Sequence, residues 1–186
     1  LSNEKKSELK YVNRKKRLLK NLLALSFVVE HYRASELSDD AYEKLWNRYV
    51  ALRESTWQAR WEEESENVDV DAMIAFYRKA FDFWRNCGML TFHFLVINNT
   101  EVAFAVALTE TDKAWYLGIG YGGEYQKYSP GRVLILETVR ELYQQGAREF
   151  ELGGEVIGWK TAWADKCRQV VKLELGLSGW KSNIWA

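Results

Sequence analysis

Residues 128–146 read YSPGRVLILETVRELYQQG, and the reading of this stretch decides the fold. Ser129 is suited to cap a helix, and Pro130 carries the fixed φ that fits a first helical position. Ile135, Leu136, Val139, Leu142 and Tyr143 recur at three- and four-residue steps and predict the inward stripe of a helix ending near Gln145. Gly146 supplies the left-handed stop. Working outward, Arg148 to Leu152 reads as a strand after the helix. The loop Gly122 to Tyr128 leads back to a strand, Ala114 to Tyr121, before it. A strand, a helix and a strand in that order make a crossover, which implies parallel pairing.

Further upstream the pattern is one of short strands and tight turns. Leu90 to Ile97 and Val102 to Thr109 are expected strands, joined by a turn at Asn98-Asn99. Thr111-Asp112-Lys113 turns the chain into the strand that begins at Ala114. Connections this short join only antiparallel neighbours, so the three strands form a meander. Before them lie helical patterns. One follows the caps Ser38 and Asp39, runs to about Arg60 and has Tyr42, Leu45, Tyr49 and Leu52 as its inner stripe. Another starts near Asp71, presents Met73, Phe76, Tyr77, Ala80, Phe81 and Trp84 as an apolar face, and stops at Gly88. Its aromatic stripe reads as core. Residues 62–67 form an acidic loop between the two. A short strand is expected from Phe27 to Tyr32, and Val170 to Leu177 reads as the last one. Trp159 to Lys166 gives one or two helical turns.

The first helix is expected over residues 4–24. Leu9, Val12, Leu19, Leu22 and Leu23 form its stripe, and Lys5, Lys6, Lys10, Arg14, Lys15, Lys16, Arg17 and Lys20 cover its other faces. A long amphipathic helix needs something to pack on. The chain also begins at Leu1 rather than Met, so we expect residues 1–33 to lead from an N-terminal half that precedes this chain, and residues 34–186 to form the main domain.

Composition narrows the function. Of 186 residues, 47% are hydrophobic and 15% aromatic, as in a packed globular chain. Lys plus Arg and Asp plus Glu are both 26. A net charge of zero offers no general attraction to DNA or to an anionic membrane. No apolar run reaches the ~20 residues of a membrane span. Two cysteines, Cys87 and Cys167, make neither a disulfide framework nor a zinc site, and a reducing cytoplasm is the expected compartment. His31 stands alone in the sequence, and His93 lies in a strand with no second ligand near it, so no metal centre is expected.

The chemistry centres on Tyr128-Ser129-Pro130-Gly131-Arg132. The first N–H groups of a helix are unpaired and carry about half a positive charge, which suits a phosphate. Gly131 lets the ligand approach and Arg132 adds a cation. The order of elements and the residues 128–140, Gly146 to Gly153, Trp159-Lys160 and Trp163 together resemble one family. It is the GNAT-like acetyltransferase domain of the cellulose-biosynthesis type, related to the Fem-type aminoacyltransferases. Its members read Tyr-Ser-Pro-Gly, a helix, a glycine turn into a strand, then Tyr-Lys and an aromatic, and they carry a basic helix before the domain.

That resemblance implies an α+β fold. A mixed, mostly antiparallel sheet of about six strands is flanked by helices and preceded by a helical extension. It implies acetyl-CoA or another acyl-CoA as donor, with the diphosphate on Tyr128, Ser129, Gly131 and Arg132. The pantetheine arm would run beside Tyr116 to Tyr121, where Gly118 and Gly120 permit a bulge and a close approach. A small-molecule or saccharide acceptor would lose a proton to a general base and attack the thioester. Lys160 matches the family's lysine and would bind an anionic group. Val156 and Ile157 stand where the family carries acidic residues. Glu155, one position earlier, is therefore the candidate base. Two rivals share the fold: a Fem-like enzyme that takes aminoacyl-tRNA, and a non-catalytic binding module.

Overall fold

The computed structural model describes residues 3–17, 27–56, 69–122, 125–154 and 158–169. The expected last strand from Val170 to Leu177, the acidic loop at 62–67, Leu19, Leu22, Leu23, and Glu155, Val156 and Ile157 lie outside these residues.

Chain order is α1 (Asn3–Arg17), β1 (Phe27–Arg33), α2 (Asp39–Glu54), α3 (Val70–Asn86), β2 (Leu90–Ile97), β3 (Thr100–Glu110), β4 (Lys113–Tyr121), α4 (Pro130–Gln144), β5 (Glu149–Glu151) and α5 (Trp159–Trp163). Five strands form one sheet in the order β1-β2-β3-β4-β5. The first three pairings are antiparallel, and β4 pairs with β5 in parallel. The α+β, mostly antiparallel architecture is as expected, with five of the strands among the described residues.

Local chemistry explains the boundaries. Ser38 Oγ accepts from the Ala41 N–H at 3.3 Å and opens α2, and an Asp69 carboxylate oxygen accepts from Ala72 N–H at 2.9 Å and opens α3. Asn98 and Asn99 both have positive φ, 49° and 62°, as the tight turn of the β2–β3 hairpin demands. Gly146, at φ 108°, ends α4, and the Ala147 N–H then reaches back to the Leu142 carbonyl at 2.9 Å.

The two faces of the sheet bury different sets. β3 is the central strand and is buried on both sides. Phe104 and Val106 face α2 and α3, joining Tyr42, Leu45, Trp46, Tyr49, Phe81, Phe92 and Phe94. Ala103 and Ala105 face α4, where they meet Val133, Leu134 and Leu136, and Ala107 meets Leu142. The alternation of alanine with large residues lets α4 lie close to the sheet while the other face fills with aromatic rings.

Some inward assignments differ. Tyr143 is 61% exposed, because Leu142 takes the sheet-facing place in the last turn of α4 and Arg148 covers the outer ring at 4.6 Å. Phe76 is 65% exposed, while Phe81, one turn further along α3, is buried among five other rings.

Helix α1 is not detached. Val12 is fully buried and Leu9 partly so, both in the cluster with β2, β3 and α4. The described part of its apolar stripe thus finds a partner within this chain.

Candidate functional site

Strand β4 organises the site. Its pairing with β3 slips between Tyr116 and Gly118, so that Leu117 is the extra residue of a bulge. Its pairing with β5 lasts only from Lys113↔Glu149 to Trp115↔Glu151. Beyond Trp115 no ladder pair joins β4 to β5, which leaves the Tyr116 to Tyr121 edge of β4 open among the described residues. A Cβ on Gly118 would meet nothing within 4 Å.

The two glycines beside this opening have packing reasons of their own. A Cβ on Gly120 would lie 2.2 Å from Phe104 Cε1 and 2.8 Å from Thr56 Cγ2, so this glycine serves the core beneath α2. A Cβ on Gly131 would lie 2.7 Å from Tyr121 Cδ1. Its smallness brings the start of α4 against β4, a packing constraint in addition to the ligand approach that the sequence suggested.

The turn before α4 also departs from expectation. Ser129 has φ 56° and ψ 55°, the left-handed region, and its side chain does not cap the helix. The hydroxyl instead shares a hydrogen bond with Tyr11 of α1 at 2.8 Å. The Ser129 carbonyl accepts from the N–H groups of Arg132 at 3.0 Å and Val133 at 3.2 Å. Pro130 has no N–H. Among the described residues, the Gly131 N–H is therefore the donor of this first turn without a backbone acceptor, on a residue that is itself buried.

Cations lie on the Tyr11 and Tyr128 rings beside this turn. Lys15 donates to the Lys127 carbonyl at 2.8 Å, and its ammonium sits 5.3 Å from the Tyr11 ring centre. The Arg132 guanidinium stacks on the same ring at 5.2 Å and pairs with Glu8 at 3.2 Å. Lys127 lies 5.2 Å from the Tyr128 ring. These groups suit an anion, and α1 supplies part of them. Sequence reading did not reach Tyr11 and Glu8. Their spacing of three on a helix that packs on α4 was the available signal.

At the other end of the opening, Gly153 follows β5 closely enough that a Cβ there would sit 3.6 Å from the Tyr116 carbonyl. Lys160 donates to the Gly153 carbonyl at 2.7 Å. The structure thus brings Ser129, Gly131 and Arg132 to one end of β4, and Gly153 and Lys160 to the other. Burial pushes the Tyr116 phenol well up, so it stays protonated. Among the described residues no group of three His, Cys, Asp or Glu side chains could hold a metal ion, and no helix is long and apolar enough to cross a membrane.

Comparison with known proteins agrees with this architecture. The model of a family described as the Acetyltransferase (GNAT) domain matches residues 6–161. No curated protein sequence matches. Solved structures share the fold at low identity. One is an aminoglycoside acetyltransferase, meta-AAC0020, from an uncultured soil metagenomic sample, in complex with trehalose. It is 13% identical over 81% of this chain and 96% of that one, with TM-score 0.51. Another is aminoglycoside N-acetyltransferase AAC(6′)-Iy in complex with CoA, 12% identical over 81% and 95%, with TM-score 0.54. A third is the C-terminal domain of a putative lysylphosphatidylglycerol synthetase from Agrobacterium fabrum. It is 13% identical over 82% of this chain and 42% of that one, with TM-score 0.50. With the matched model spanning most of its length, the chain belongs to the GNAT acetyltransferase family.

Proposed function

We propose that this protein transfers an acyl group from acyl-CoA to an amine or hydroxyl of a small-molecule or saccharide acceptor. The observation that carries the reading is that β4 and β5 stop pairing after Trp115, with the start of α4 at the far end of the open edge of β4. From Tyr116 to Tyr121 the strand covers about 16 Å at ~3.3 Å per residue. That suits a pantetheine arm stretched between a phosphate end at Gly131 and a thioester end near Gly153. The Gly131 N–H, the positive end of α4 and the Arg132 guanidinium would hold the diphosphate. The AAC(6′)-Iy neighbour is solved with CoA, which supports the same donor here.

In this reading Gly118 leaves the strand backbone accessible beside the thioester. Strand N–H groups there would stabilise the oxyanion that forms as the acceptor attacks. Glu155, between the glycine turns at 153–154 and 158, takes the acceptor's proton, directly or through water. Lys160 then offers its remaining donors to an anionic part of acceptor or product. The Tyr-Ser-Pro-Gly turn supports the cellulose-biosynthesis branch of the family. A tRNA donor would call for a broad free basic surface. Lys5 and Lys16 of α1 are paired with Asp165 and Glu137, and Lys15 bonds the Lys127 carbonyl, which favours the CoA reading. Two free cysteines fit a reducing cytoplasm.

Turnover tests this reading. The protein is incubated with acetyl-CoA and a panel of amines, aminoglycosides and saccharides, and released CoA is separated by chromatography. Chromatography is needed because Cys87 and Cys167 are exposed and would consume a thiol reagent. We expect acceptor-dependent CoA release and at least a tenfold loss in Glu155→Gln, with unchanged acetyl-CoA affinity. CoA release that is equal in the parent and the variant would remove Glu155 from the mechanism. Release from no acceptor, with no CoA bound, would remove the acyltransferase reading.

A further inference from the structure

Tyr11 stands on a helix outside the strand–helix–strand unit that forms the proposed donor site, yet its hydroxyl reaches the residue that opens α4. Ser129 is a left-handed non-glycine residue, a conformation that carries a steric cost for any side chain with a Cβ. In the ordinary N-cap conformation, extended, its hydroxyl would accept from the second or third helical N–H, here Gly131 or Arg132. The Arg132 N–H already reaches the Ser129 carbonyl. Capping would therefore consume the Gly131 N–H, the open donor at this end. The bond from Tyr11 holds the Ser129 hydroxyl away from it.

We propose that Tyr11 is a positioning residue of the donor site: it keeps Ser129 in the left-handed, non-capping form and so leaves the Gly131 N–H free for a phosphate oxygen of CoA. The inference rests on the reading that the donor's diphosphate lies at the start of α4. Lys15 supports the same turn by binding the Lys127 carbonyl, so α1 fixes this segment at two successive points. The Tyr11 ring also carries Lys15 and Arg132 on its faces, and a phenylalanine there retains both stacks while removing only the hydroxyl.

A double-mutant cycle isolates the effect. Coenzyme A is titrated calorimetrically into the parent, Tyr11→Phe, Ser129→Ala and the double variant, all checked for an unchanged fold by thermal melting. Loss of one hydrogen-bond donor should lower CoA affinity roughly three- to tenfold in Tyr11→Phe. Ser129→Ala has no hydroxyl with which to cap, so adding Tyr11→Phe to it should lower CoA affinity no further. In the ligand-free protein, the Gly131 amide should become more protected from hydrogen exchange in Tyr11→Phe, because Ser129 then caps it. CoA binding by Tyr11→Phe equal to the parent's would overturn the proposal. So would a loss that persists undiminished in the Ser129→Ala background, or a Gly131 amide that exchanges as before. A parent that does not bind CoA would instead overturn the donor reading, and the Gly131 exchange would still report on Tyr11 by itself.

Discussion

Lowering the pH from 6.5 to 4 is expected to remove about 3 kcal/mol of folding stability through His93 alone. The cause is a buried chain of hydrogen bonds. Thr91 Oγ1 donates its single proton to the Ala107 carbonyl at 3.1 Å, so its oxygen must accept from His93 Nε2 at 3.2 Å. His93 Nδ1 is then the bare nitrogen, and it accepts from His31 Nδ1 at 2.7 Å. In this arrangement His93 is neutral and 1% exposed, and burial, helped by the neighbouring His31, pushes its pKa down to about 3. The unfolded chain takes up the proton near pH 6.5, and the folded chain refuses it until about pH 3. The stabilisation is therefore complete above pH 6.5 and falls with pH through that window, by about 1.4 kcal/mol per unit.

His31 works in the same direction. Burial lowers its pKa, while Glu141 and Glu137 of α4 oppose the shift. Carboxylates that ion pairs hold low, such as Glu30 beside Arg48, lose their contribution only below the usual carboxylate range. The window from pH 6.5 to 5 thus belongs to the histidines. Urea unfolding at steps of half a pH unit measures it, with His93→Gln as the variant that cannot titrate. A parent whose stability is flat across that window would refute the assignment, as would a His93→Gln variant with the parent's slope.

Phe81→Ala is expected to cost about 3–5 kcal/mol, a large part of the ~5–15 kcal/mol available to a domain. Phe81 is 1% exposed and lies within 6 Å, ring centre to ring centre, of Trp46, Tyr49, Tyr77, Trp84 and Phe92. It joins α3 to α2 and to the sheet, and no neighbour on the far side of the sheet can fill the void. Phe76→Ala, on the exposed side of the same helix, should change stability by less than about 0.5 kcal/mol. Equal denaturation midpoints for the two variants would contradict this account of the core.

These two cases also show where local sequence suffices. The ends of α4, the two meander turns and the parallel return to β5 were legible because each rests on residues adjacent in sequence: Pro130, Gly146, Asn98-Asn99 and the crossover length. Phe81 was legible as core because it repeats with the helix. The pairing of His31 with His93 was not, since it depends on the register of β1 against β2, two elements separated by α2 and α3. Ser129 read as a cap because its neighbours are those of a cap. Only the packing of α1 on α4 shows that Tyr11 takes the hydroxyl. The Tyr121 ring against Gly131 was not legible either, a packing constraint beside the ligand approach read from the sequence. These omissions share one origin. Each involves a partner brought close by tertiary packing, which no local pattern encodes.

The site was legible to the same depth. Tyr128 to Arg132 and the strand from Tyr116 to Tyr121 do lie together, and Lys160 lies at the end of β5 with Gly153. The contribution of α1 came only with the fold.

The central claim is that acyl-CoA lies along β4 with its diphosphate at the start of α4. Amide NMR of the 15N-labelled protein during titration with acetyl-CoA tests it most directly. We expect saturable shifts that are largest at Gly131 and Arg132 and continue along Tyr116 to Tyr121. Spectra that do not change at millimolar acetyl-CoA, or shifts confined to residues away from α4 and β4, would contradict the claim.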